Sequence, residues 1–256
     1  MKYAYLIPIL LFAFGCTNPT EAPSLVVASG EEAVIELSAE QFIIRHIESK
    51  LSIPATEKYS YKIYREELTG DDSLDYIVTV NLLDRAINEA IESGKVAKRA
   101  EIGYIGNFNY VFFMNGNNRS ISSAIPVPSS PHAELRVTFD HIRSEAYKDV
   151  MVDFRIRNAC YRRFFTVLRE LPRQTFETKI FDGLGTSEAE AFAIGFEPGS
   201  YSLARDIIVY KAKIEDVEID DPNAIYSIDP EIIKTDIVDR RWFFNGHELK
   251  YFTEKD

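Results

Sequence analysis

Apolar residues recur at helical spacing in two stretches and at alternate positions through much of the remaining chain. Phe42, Ile43, Ile44, Ile47 and Leu51 share a helical face until Pro54 ends the pattern. Ser38 and Gln41 stand just ahead with the spacing of a capping box, so the helix is expected to start there. A second helix is predicted from Leu83 to Lys98. Ile87 and Ile91 share a face with Ala86 and Ala90, and Lys95, Lys98 and Arg99 complement the negative end of the helix dipole.

Elsewhere the period is two. Tyr59, Tyr61 and Ile63 alternate with Ser60, Lys62 and Tyr64, and Val150, Val152, Phe154 and Ile156 with Met151, Asp153, Arg155 and Arg157. Residues 189–196 and 206–213 continue in the same style. Such alternation describes strands with one face on a core and the other in water. The 14 tyrosines and 17 phenylalanines add to the preference for sheet. The expected fold is β-rich, mainly antiparallel and sandwich-like, with one or two helices.

An internal echo suggests a duplicated β module. Residues 59–82 align without gaps on residues 133–156, each reading strand, polar loop, aspartate (Asp75 or Asp149) and second strand. A further echo sets Phe112-Phe113-Met114-Asn115-Gly116 against Phe243-Phe244-Asn245-Gly246, with Asn-Gly predicting a tight hairpin turn in each.

The amino-terminal segment follows a different logic. Lys2 is followed by an apolar run from Tyr3 to Phe14, broken only by Pro8, and the chain turns polar after Cys16. About 12 apolar residues fall short of the roughly 20 that a membrane-crossing helix needs. The order of charge, apolar run and small residue is that of a secretory signal. Within it, Ala13-Phe14-Gly15-Cys16 resembles a lipobox, departing from that pattern in Ala13 and Phe14 where leucine and a smaller residue are usual. The resemblance implies removal of residues 1–15 and a diacylated Cys16, so that a palmitate-type anchor holds the chain in the cell envelope. The membrane would be the inner or outer one, with the body at the periplasmic face or cell surface. Ala13 and Gly15 equally satisfy an ordinary signal cut after Gly15. Residues 16–30 read as a flexible tether. Residues 31–256 form the β-rich body, as one domain or as two modules of about 31–130 and 131–256.

Composition narrows the function. Charged residues make up 27% and hydrophobic residues 46%, which suits a folded body. A net charge of −11 argues against nucleic acid as a partner. With Cys16 lipidated, Cys160 has no partner and is expected to be buried as a small hydrophobe.

Two clusters bear chemistry. Residues 67–75 resemble the calcium loops of bacterial β-propeller and adhesin repeats, which implies Glu67, Thr69, Asp71 and Asp75 as oxygen ligands. Glu67, Thr69 and Asp72 depart from that family's Asp, Asn and Gly, and the alternative is a polar turn closed on its own amides. Arg155, Arg157, Arg162 and Arg163 form a basic stripe suited to an anion, or to pairing with acids such as Asp153 on neighbouring strands. No Gly-x-Ser-x-Gly, His-Glu-x-x-His or Walker pattern occurs. Gly183-Leu184-Gly185-Thr186 reads as a turn. Trp242 and Tyr251 are aromatics able to stack on sugars or to pack in a core. The expected function is a non-catalytic envelope lipoprotein that binds a protein or glycan. An envelope hydrolase with a carboxylate site is the alternative.

Overall fold

A computed structural model describes residues 37–94, 106–215, 225 and 228–254. The signal, Cys16, the tether and the cations at positions 95, 98 and 99 lie outside them. Residues 37–256 make one compact unit. In chain order its elements are α1 (Ala39–Lys50), β1 (Ser60–Glu66), β2 (Asp75–Asn81), α2 (Leu83–Glu92), β3 (Asn109–Met114) and β4 (Ile125–Pro126). Then follow β5 (Arg136–Asp140), β6 (Asp149–Ile156), β7 (Ala159–Leu168), β8 (Leu171–Asp182), β9 (Glu190–Glu197), β10 (Asp206–Ile214), β11 (Ile232–Asn245) and β12 (Lys250–Phe252). The strands form two antiparallel sheets, β1-β2-β3-β4 and β12-β11-β10-β9-β8-β7-β6-β5. The β-rich, sandwich-like expectation therefore holds. No helix among the described residues is long and apolar enough to cross a membrane.

Alternation explains how the small sheet fills both of its faces. Val78 and Val80 of β2 and Phe112 and Met114 of β3 point one way, onto Ile43 and Ile47 of α1 and Ala86 of α2. Ile77, Val111 and Phe113 point the other way, onto Val150, Val152, Phe154, Phe165 and Val167 of the large sheet. Both helix starts match expectation. Ser38 accepts from the Gln41 amide at 3.2 Å, and the Gln41 side chain accepts from the Ser38 amide at 3.1 Å. On α2, Ala86 and Ala90 are buried while Ile91 is exposed.

The alternating strands are less half-wet than their pattern implies. In β6 only Ile156 is not fully buried, so Asp153 and Arg155 lie inside the protein. Arg155 is covered by the carbonyls of Ile225 and Ile228, Asp153 by Arg136 and Arg162, and Met151 of the same face by the curl of the large sheet. β8 and β9 pair only through Phe181–Ala191 and Asp182–Glu190. Beyond that point they diverge, and β12 returns to pack beside β8. Phe176 then meets Trp242 and Tyr251 at ring-centroid distances of 5.0 and 5.7 Å. A second core of Met151, Phe164, Phe176 and Ile207 fills the curl.

The echo at an offset of 74 appears in three dimensions. β1–β2 and β5–β6 are antiparallel hairpins closed by Glu66–Asp75 and Asp140–Asp149. A third hairpin, β9–β10, is closed in the same way by Glu197–Asp206. In each closing pair the aspartate that opens the second strand is buried and accepts an amide from its own loop: Asp75 from Leu68, Asp149 from Arg143 and Asp206 from Ser200. The loops dock serially. The Lys148 amide donates to the Glu67 carbonyl while its ammonium reaches Glu66 at 2.8 Å. The Arg205 amide donates to the Ile142 carbonyl while its guanidinium lies 3.6 Å from Asp140. The two Asn-Gly turns also correspond, although each is longer than the expected tight turn. Asn115 caps the amides of Asn117 and Asn118, and Asn245 those of His247 and Glu248.

Candidate functional site

The first hairpin loop, where calcium ligands were expected, is closed by its own donors. Asp75 is fully buried; one carboxylate oxygen accepts from the Leu68 amide at 3.2 Å and the Thr69 hydroxyl at 3.0 Å. The other accepts from the Gly116 amide at 3.0 Å. Asp71 takes the amide and hydroxyl of Ser73, and Glu67 takes the Asp72 amide at 3.3 Å. Burial raises the Asp75 carboxyl above its ordinary range against the pull of these donors, whereas the Ser73 donors lower that of Asp71. Among the described residues, no three His, Cys, Asp or Glu side chains converge as metal ligands.

The arginine stripe divides by role. Arg155 is buried: it donates to the carbonyls of Ala159, Arg157, Ile225 and Ile228, and its guanidinium lies 4.8 Å from the Phe181 ring centroid. Arg162 grips Asp153 through two bonds of 2.6 and 2.8 Å, and Arg136 reaches the same carboxylate at 3.3 Å. Arg136, Asp153 and Arg162 form one cross-strand row of β5, β6 and β7, so the acid sits between two cations. Arg163 pairs with Glu177 at 2.6 Å. Arg157 has φ +54° in the turn that follows β6. Cys160 is buried as expected, and burial pushes its thiol up to about 11.

The curl of the large sheet makes a more open feature. Two hollows lie side by side between β8 and the β11–β12 arm, with Trp242 in the wall of both. The larger, about 430 Å³, is lined by Gln174, Thr175, Phe176, Glu177, Trp242, Lys250 and Tyr251. The smaller, about 220 Å³, is lined by Thr178, Lys179, Phe192, Val209, Asp239, Arg240 and Trp242. Trp242 is half-buried, packed on Phe176 from below, with the Arg240 guanidinium 5.9 Å from its ring centroid. Tyr251 is fixed by donating to the Arg205 carbonyl at 2.8 Å. An aromatic wall with amide, hydroxyl, carboxylate and ammonium groups around it can take an amphipathic ligand: ring faces on the indole, polar substituents at the rim.

Trp242 and Tyr251 were recognisable as candidates from the sequence. Gln174, Glu177, Lys179, Phe192, Arg240 and Lys250 were not, because they converge only when the sheet curls. The one local sign was the pair of arginines, Arg240 and Arg241, directly before the chain's single tryptophan. No protein-family model, curated protein or solved structure matches the chain.

Proposed function

We propose that this chain is a lipid-anchored, non-catalytic protein of the cell envelope whose body binds glycan in the Trp242 groove. The observation that carries this reading is the half-buried indole shared by two open hollows, each with hydrogen-bonding side chains. A sugar ring offers C–H faces to such an aromatic and hydroxyls to such a rim. The groove carboxylates support binding over hydrolysis: Glu177 is bridged to Arg163, and Asp239 belongs to the other hollow. A glycosidase instead holds two carboxyl groups about 5–10 Å apart across one bond. The lipobox-like residues supply the anchor in this reading.

Trp242 is the only tryptophan, so its emission reports on the groove alone. Titrating the protein with solubilised envelope polysaccharide is expected to shift that emission saturably. Trp242→Ala is expected to weaken retention on the immobilised polysaccharide at least tenfold, about 1.4 kcal/mol, with its thermal midpoint reported alongside. Equal retention of the variant sinks the groove reading. For the anchor, metabolic labelling with a fatty acid is expected to mark the wild-type chain and not Cys16→Ser. Equal labelling of both removes the lipid address.

A protein partner has separate support in β11. Among the described residues, this strand from Ile232 to Trp242 pairs only with β10, and Ile233, Ile237 and Val238 are exposed along it.

A further inference from the structure

We infer that the ligand of the groove is an acidic saccharide, a sugar chain carrying carboxylates, clasped by Lys250 and Arg240 on the two sides of Trp242. The inference rests on the glycan-binding reading and follows from the charges facing the groove. Five lining residues are ionisable acids or bases other than tyrosine: Glu177 and Lys250 in the larger hollow, and Lys179, Asp239 and Arg240 in the smaller. Two are already neutralised. Glu177 is bridged by Arg163 at 2.6 Å, and Lys179 by Asp182 at 2.7 Å.

That leaves Lys250, Arg240 and Asp239, all exposed, and none within 4.0 Å of an opposite charge among the described residues. The larger hollow thus presents one uncompensated ammonium. The smaller presents a guanidinium beside a single carboxylate. Although the chain carries a net charge of −11, both unpaired cations of the groove flank its one tryptophan.

Each cation suits a planar carboxylate. The guanidinium offers a two-pronged donor, and the ammonium a compact charge at the rim. A pyranose laid on the indole sends substituents to both sides, one into each hollow, where Arg240 and Lys250 stand. Asp239 is then a selectivity element. Together with the protein's overall negative charge it opposes a dense polyanion, so sparse carboxylates are favoured over heavily sulfated chains.

The test uses the full-length protein in detergent and matched saccharides: oligogalacturonides and muramic-acid saccharides, each with its carboxyl-esterified counterpart. Sulfated heparin is the polyanion control. Affinities are read by Trp242 emission and by calorimetry. At least one acid form is expected to bind tenfold or more tightly than its ester and than heparin. Lys250→Gln and Arg240→Gln are each expected to lower affinity for the acid several-fold more than affinity for the ester. If ester and acid bind equally, or if neither variant separates them, the acidic-saccharide inference falls and the glycan reading stands. If no acid, ester or envelope polysaccharide moves the emission of Trp242, both fall.

Discussion

Asp75→Ala is the sharpest probe of how the hairpins are held. In the wild-type chain the Asp75 carboxylate, fully buried, takes three donors: the amides of Leu68 and Gly116 and the hydroxyl of Thr69. Removing it strands two backbone amides, each costing about 1–3 kcal/mol. The Thr69 hydroxyl is only half-buried and turns to water at little cost. Against this stands the relief of burying an ion, since desolvation raises the Asp75 carboxyl above its ordinary value of 3.8. The net expectation is a loss of about 2–4 kcal/mol. Asp75→Asn keeps one acceptor and is expected to lose less. Equilibrium urea unfolding of the full-length variants, followed by circular dichroism, measures both. A loss below about 0.5 kcal/mol for the alanine variant, or a larger loss for asparagine than for alanine, refutes the reasoning. The pH dependence has a definite sign. The folded state holds this proton more tightly than the unfolded chain, so the contribution is fully present below 3.8 and is lost as pH rises through the elevated folded value. The gap between wild type and Asp75→Ala should therefore widen as pH is lowered from neutrality toward 3.8.

Three other outcomes follow from the geometry. Arg155→Ala strands the carbonyls of Arg157, Ala159, Ile225 and Ile228 and is expected to cost about 2–4 kcal/mol; an unchanged thermal midpoint would falsify the pinning role. Arg169 and Glu170 form the β7–β8 turn at φ +50° and +62°, and Glu170 is tied to Asn118 and Ser120, so only Arg169 is free to change. Arg169→Asn is expected to gain about 0.5–1 kcal/mol by suiting the left-handed conformation, and any loss in midpoint counts against it. Because the carboxylates of Glu67, Asp71 and Asp75 are engaged by donors of the 67–75 loop and by the Gly116 amide, a chelator is expected to leave the melting temperature unchanged. A calcium-dependent rise that Asp71→Asn abolishes would restore the metal.

The features legible in the sequence were those set by local spacing. The capping box at Ser38 marks the start of α1, and the strand, loop, aspartate and strand pattern around Asp75 and Asp149 marks two hairpins. The third hairpin escaped because its loop, residues 198–205, shares with the others little beyond the closing acids; the correspondence lies in hydrogen bonds. Arg155 was assigned to a wet face because alternation says which residues share a side, and nothing about what later covers that side. The groove was beyond reach for the same reason: Gln174 and Lys250 meet only through the curl beyond the short β8–β9 pairing.

The serial docking of the hairpin loops gives the row two unlike ends: the first loop serves as a berth and the third only occupies one. The second loop docks on the Glu67 carbonyl and Glu66, and the third on the Ile142 carbonyl and Asp140, so each later loop is seated on the one before it. Fraying from the carboxyl end therefore unseats the third loop while the second stays docked on the first. Native-state hydrogen exchange should accordingly release the Arg205 amide before the Lys148 amide.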